Sequence, residues 1–170
     1  YNERRQECEE GARIIGLDNS NIKSLRDATL SDLAKAKNEL SANVYDRCEY
    51  VIKENTRVEV AISAIKDGDM EALGRLMYQS HEGLSEKYKV SCKELDVLAD
   101  FAKSFDAVVG ARMMGGGFGG CTINLVKNEG VQEFKEAVCE HYMANTGKEV
   151  TFYDINISKG LHKEEIHENV

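Results

Sequence analysis

Residues 110–121 read Gly110-Ala111-Arg112-Met113-Met114-Gly115-Gly116-Gly117-Phe118-Gly119-Gly120-Cys121 and hold six of the chain's 14 glycines. Glycine reaches positive φ without a Cβ clash and lets a phosphate or another backbone come close. A plain hairpin needs only one or two such residues. Five glycines around one phenylalanine therefore point to a loop that receives something, and a phosphate is the leading chemistry. Gly115-x-Gly117-x-x-Gly120 fits the dinucleotide fingerprint in its letters. That fingerprint must open a helix, whose N-terminus holds the pyrophosphate. Here Cys121-Thr122-Ile123-Asn124-Leu125-Val126 follows, an alternation of strand type, and the dinucleotide reading is rejected. A Walker A loop needs Lys-Ser or Lys-Thr after its last glycine, where this chain has Cys121-Thr122. A glycine flap between two strands occurs in protein kinases, but the chain has no His-Arg-Asp and no Asp-Phe-Gly. The plain alternative is a close-packed hairpin.

Other candidate chemistry is sparse. His81, His141, His162 and His167 do not cluster in sequence, and His81, beside Glu82 in a helical pattern, reads as a satisfied helix histidine. No acidic pair has the spacing of a two-metal site, and no Gly-x-Ser-x-Gly elbow is present. Cys8, Cys48, Cys92, Cys121 and Cys139 are widely spaced and odd in number. They read as small buried hydrophobes in a reduced cytosolic setting. The charges Glu3, Arg4 and Arg5, and the pair Lys35/Glu39, read as solvated helix faces. The residues thus offer a phosphate-grade loop without a base, nucleophile or metal ligand, which is part of a site.

The elements that must position this loop follow from periodicity. A helix over 1–15 ends at Gly16. Thr29 caps a short helix to Leu40, with Leu30, Leu33, Ala34 and Lys37 facing inward. The longest helical pattern, 43–66, repeats Val51, Val58, Ile62 and Ile65, with Cys48 and Ala61 beside them. Asp67-Gly68-Asp69 breaks it, and a helix to about Lys87 follows. Two long helices joined by one tight turn should pack antiparallel, with Met70, Met77 and Tyr78 in the core. Ser91 and Glu94 form a capping box for a helix over 93–104. Strands are predicted over 107–113, 120–127 and 150–157, with a helix over 129–145. Helices first, then β–β–α–β, predict an α+β fold: an antiparallel sheet with helices on one face.

The 170 residues suffice for one domain with a real core. A net charge of −8 argues against nucleic acid and anionic membrane surfaces. No apolar run approaches the length of a transmembrane helix, and the charged Tyr-Asn-Glu-Arg-Arg start is no signal peptide. The first residue is not Met, which fits a piece of a longer protein.

Several stretches together resemble one family. They are Tyr1-Asn2-Glu3-Arg4-Arg5-Gln6-Glu7-Cys8-Glu9-Glu10, Ala72-Leu73-Gly74-Arg75-Leu76-Met77-Tyr78-Gln79-Ser80-His81, Val90-Ser91-Cys92-Lys93-Glu94-Leu95-Asp96, and the loop from Ala111 to Cys121. In this order they resemble the galactokinases, of the GHMP small-molecule kinase superfamily. The resemblance covers nearly the whole chain. It implies ATP-dependent phosphorylation of galactose to galactose 1-phosphate, with Mg²⁺, in the cytoplasm. It also implies that this chain is the C-terminal half. The ATP-phosphate loop, the Mg²⁺-binding Ser and Glu, the catalytic Asp and a neighbouring Arg then lie upstream, and the chain alone should be inactive. Tyr1 matches a tyrosine that hydrogen-bonds the sugar. Gly115, Gly116, Gly117, Phe118, Gly119 and Gly120 match the third superfamily motif, which packs against the phosphate-binding loop. The implied C-terminal domain runs over 1–158, a helical segment followed by a ferredoxin-like plait, with one strand of it before Tyr1 and a charged tail over 159–170. Implied partners are galactose, ATP and the N-terminal half, whose absence leaves a face for self-association. A non-catalytic sugar or ATP sensor is the alternative.

Overall fold

A computed structural model describes residues 2–155; Tyr1 and 156–170, including the predicted tail, lie outside the described residues. The described chain is mostly helical, with one two-stranded antiparallel sheet. Helix α1 (Asn2–Ile15) is followed by a loop and the short α2 (Leu30–Lys35). Thr29 caps α2 reciprocally with Asp32, a capping box with an aspartate in the third position. Leu33, Ala36 and Leu40 are buried there, whereas Leu30, Ala34 and Lys37 are exposed. The helix stops after six residues and tightens into a 3₁₀ turn, which rotates the inner face away from that of a continuous helix.

Helix α3 (Ala42–Asp67) starts at Ser41, whose Oγ accepts the Val44 N–H. It ends at Gly68 in the left-handed conformation, φ 71°. Asp69 then caps α4 (Met70–Glu86) by accepting the Ala72 N–H at 2.8 Å. The two helices pack antiparallel: Lys87 meets Asp46 at 2.8 Å, Gly83 abuts the Tyr50 ring, and Ser80 donates to Glu54 at 2.5 Å. Val58, Ile62 and Ile65 of the helical repeat are exposed, and so is Met70, which was expected in the core. Their helical period is real, but this end of α3 runs beyond the core formed by α1, α2 and the first half of α3.

Helix α5 (Lys93–Ser104) has Cys92 at its N-cap position and no side-chain cap. The expected Ser91–Glu94 box does not form, because the Ser91 hydroxyl donates to Asp96 at 2.6 Å. Strand β1 (Val108–Met113) pairs antiparallel with β2 (Thr122–Val126), Met113 opposite Thr122, with a register irregularity between Val108 and Gly110. Helix α6 (Val131–Thr146) closes at Gly147, φ 68°. The third strand expected over 150–157 is absent among the described residues, since Val150–Ile155 carries no ladder. Lys135 of α6 instead holds Asp154 at 2.7 Å and lies 5.7 Å from the Phe152 ring centroid, which ties the segment to a helix rather than to a sheet edge.

Three apolar clusters follow one another. The first joins α1, α2 and α3 around Leu33 and Cys48. The second, beneath the glycine loop, joins Tyr50, Leu84, Val90, Leu95 and Met113. The third sets Phe134 and Val138 of α6 against Ala102, Val108 and Ala111. Arg4 is also buried, 9 % exposed, contrary to the solvated face expected of it. It pairs with Glu7 at 2.6 Å and donates to the Tyr88 carbonyl. Glu7 is shared with buried Arg47, 3.4 Å away, and Arg47 also donates to the Lys87 carbonyl. Buried charges persist where they are paired, and this triad fixes α1 on α3 and on the end of α4.

Candidate functional site

The loop between β1 and β2 is held at its root by Met114 N–H, which donates to the Cys121 carbonyl at 2.9 Å. Within it φ is positive at Gly115, Gly117, Phe118, Gly119 and Gly120. Such a run is open to glycine and strained for any other residue. Phe118 is the exception, at φ 59° with its side chain 57 % exposed. Its N–H donates to the Val90 carbonyl at 2.7 Å, which holds it there.

The loop has two sides. A Cβ on Gly117 would lie 2.1 Å from the Val90 carbonyl oxygen, so this glycine is seated on the domain itself. Gly115, Gly119 and Gly120 would meet nothing within 4 Å, and the outer side of the loop is open. Gly115 and Gly116 line a groove of about 1120 Å³ together with Arg4, Cys8 and Ala12 of α1. The structure therefore brings the helix that begins beside Tyr1 and the glycine loop to one groove. Tyr1 itself lies outside the described residues.

Beneath the loop His81 is buried, 6 % exposed. Its Nδ1 accepts the Met113 N–H at 3.1 Å, and its Nε2 lies 3.2 Å from Asp96, off the line of a good hydrogen bond. Burial pushes its pKa below the ordinary imidazole value, against the opposing pull of Asp96 and Asp100. Beside it Glu54 accepts from Ser80 and from Arg112, the latter at 3.3 Å, and pairs with Arg57. Burial, with Glu54 adding to it, pushes the Tyr50 hydroxyl up to about 12. Glu54 thus takes up Ser80, Arg112 and Arg57.

Among the described residues no group of three His, Cys, Asp or Glu side chains is placed to hold a metal ion. All five cysteines are free. No described helix is long and apolar enough to cross a membrane. The arrangement can present backbone to a ligand or to another backbone. Sequence reasoning missed the seat at Val90, which has no local signal, and the Arg4–Glu7–Arg47 triad, of which only the Arg4/Glu7 helical spacing was visible.

The two sides of the loop should respond differently to substitution. Gly117→Val should lower the melting temperature, because the new side chain must displace Val90 or break the Phe118–Val90 bond. Gly119→Ala should cost only backbone strain, of order 1–3 kcal/mol. Thermal melts of both variants check this, and equal losses would contradict a two-sided loop.

Comparison with known proteins gives concordant results. Residues 61–144 match the family described as GHMP kinases C terminal. A galactokinase of Thermotoga petrophila is 41 % identical over 163 residues, spanning 96 % of this chain and 44 % of that protein. A galactokinase of Fusobacterium nucleatum is 37 % identical over 164 residues, spanning 96 % and 42 %. The crystal structure of Lactococcus lactis galactokinase complexed with galactose superposes with a TM-score of 0.86 at 33 % identity, over 90 % of this chain and 39 % of that one. The chain thus spans less than half the length of these relatives.

Proposed function

With residues 61–144 forming a GHMP kinase C-terminal domain and the chain as a whole belonging to the C-terminal region of the galactokinases, we propose that the full parent protein phosphorylates galactose from ATP. The sugar 1-hydroxyl oxygen forms a bond to the γ-phosphorus, the bond from that phosphorus to the ADP oxygen breaks, and the hydroxyl proton passes to a base. The base, the phosphate cradle and the residues holding Mg²⁺ belong in this reading to the upstream half; among the described residues no three His, Cys, Asp or Glu side chains are placed to hold a metal ion. Mg²⁺ there would neutralise charge on the phosphates. The observation that carries the proposal is the glycine loop whose outer side is open and which shares a groove with α1. The upstream half covers that side, so that its phosphate loop packs on Gly115–Gly120. A strand from before Tyr1 extends the sheet toward the ferredoxin-like plait, the domain runs to about residue 158, and 159–170 is a charged tail. The enzyme works in the cytoplasm, where free cysteines persist.

Tyr1, the residue before α1 in sequence, hydrogen-bonds the sugar in this reading. In the full-length protein Tyr1→Phe should raise the KM for galactose with little change in the KM for ATP, since one lost hydrogen bond is worth roughly 0.5–1.5 kcal/mol. Equal changes for both substrates would contradict the assignment. The same assay tests the function itself. Galactose-dependent ADP release by the wild-type parent supports the kinase, and galactose binding without turnover would favour the sensor alternative.

A further inference from the structure

We propose that His81 is a positioning residue for the glycine loop: through Asp96 and Ser91 it ties together the two places where the loop is anchored, and so sets the pose offered to the phosphate side of the site. This rests on the function proposed above.

The first anchor is the strand that enters the loop. Met113 is the last residue of β1, fully buried, and its N–H ends on His81 Nδ1 rather than on β2. A buried N–H left without an acceptor is costly. The second anchor is the tip, where Val90 accepts the Phe118 N–H and seats Gly117. The two are linked by side chains. Nδ1 can accept only if the ring proton sits on Nε2, and Nε2 lies 3.2 Å from Asp96, close enough for the N–H dipole to meet the carboxylate though off the line of a good hydrogen bond. Asp96 is fixed by the Ser91 hydroxyl at 2.6 Å on one oxygen and the Ser85 hydroxyl at 3.2 Å on the other. Ser91 directly follows Val90. On either side of the tip a Cβ on Gly115, Gly119 or Gly120 would meet no described atom within 4 Å, and glycine has the most conformational freedom to lose. The groups bearing on the ring are Asp96 and Asp100 of α5 and Arg112 of β1, and burial outweighs the two carboxylates and keeps the imidazole neutral.

The test uses the full-length parent and three variants, His81→Leu, His81→Asn and Ser91→Ala. The readouts are hydrogen exchange of peptides spanning 114–121 and of the remaining helices, kcat, and both KM values. His81→Leu removes the acceptor. It should speed loop exchange and lower kcat, each by about tenfold, the equivalent of one buried hydrogen bond, with the galactose KM within about twofold. The amide oxygen of His81→Asn can stand where Nδ1 stands and should restore both. Ser91→Ala should loosen the same peptides by a smaller factor. Loop exchange unchanged in His81→Leu, or acceleration spread evenly over all helices with no rescue by asparagine, would overturn the clamp. Should His81→Leu fail to fold, Ser91→Ala decides, and exchange confined to the loop supports the proposal while no change sinks it. A wild-type parent that turns over no galactose would refute the kinase reading, and the exchange pattern would still judge the clamp.

Discussion

Purified alone and given galactose, ATP and Mg²⁺, the 170-residue chain is expected to form no galactose 1-phosphate, and turnover is expected only when the upstream half is supplied. Phosphoryl transfer depends on positioning and charge neutralisation. The described residues provide a loop wall and part of a groove, but no metal-binding cluster. Their one buried histidine accepts the Met113 N–H and lies 3.2 Å from Asp96. The loop's outer glycines and the exposed Met114 and Phe118 present a face with no partner in the described chain. The experiment is a coupled ADP-release assay on the chain, then on the chain mixed with the separately expressed upstream half. Sugar-dependent turnover by the chain alone would overturn the division of labour. The same face should make the isolated chain self-associate, as exposed apolar patches do.

A second large effect is expected at Gly74→Ala. Helix α4 crosses β1 with backbone against backbone: a Cβ on Gly74 would lie 1.9 Å from the Val109 carbonyl oxygen, and one on Gly110 would lie 2.5 Å from the Gly74 Cα. Nothing flexible stands there to give way. The helix must lift from the strand, at about 3 kcal/mol, the upper end of ordinary overpacking. For a chain of this size that lowers the melting temperature by roughly 10 °C. Lifting α4 also draws His81, two turns further along the same helix, away from Met113. Gly68→Ala is the control, since its φ of 71° is strained for alanine but nothing lies within 4 Å. A Gly74→Ala variant melting within about 2 °C of wild type would refute the close crossing.

The elements that show in the sequence are those decided locally. Gly68 and Gly147 end helices where a left-handed residue is needed, and Thr29 and Asp69 cap where a helix start needs an acceptor. The strand–loop–strand context of the glycines also follows from alternation, and it separates this loop from a dinucleotide fingerprint. Periodicity alone does not say whether a partner is present: Val58, Ile62 and Ile65 recur at helical spacing and are exposed. Ser91 had the right spacing for a capping box, but Asp96 competes for its hydroxyl from the next turn. Arg4 looked solvated because its carbonyl acceptor at Tyr88 is remote in sequence. For the site, the loop was legible and its seat on Val90 was not, since nothing in a valine announces a carbonyl at the right place.

That remote acceptor has a bearing on how the chain is made. Arg4 and Tyr88 are 84 positions apart, so the first helix leaves the ribosome long before its anchor exists. At about 5–20 residues per second the wait is roughly 4–17 s. During it the Arg4 and Glu7 side chains stay hydrated, and the groove is incomplete. The triad closes only after α3 and α4 have both emerged and paired, so docking of α1 waits for them although its codons are read before theirs.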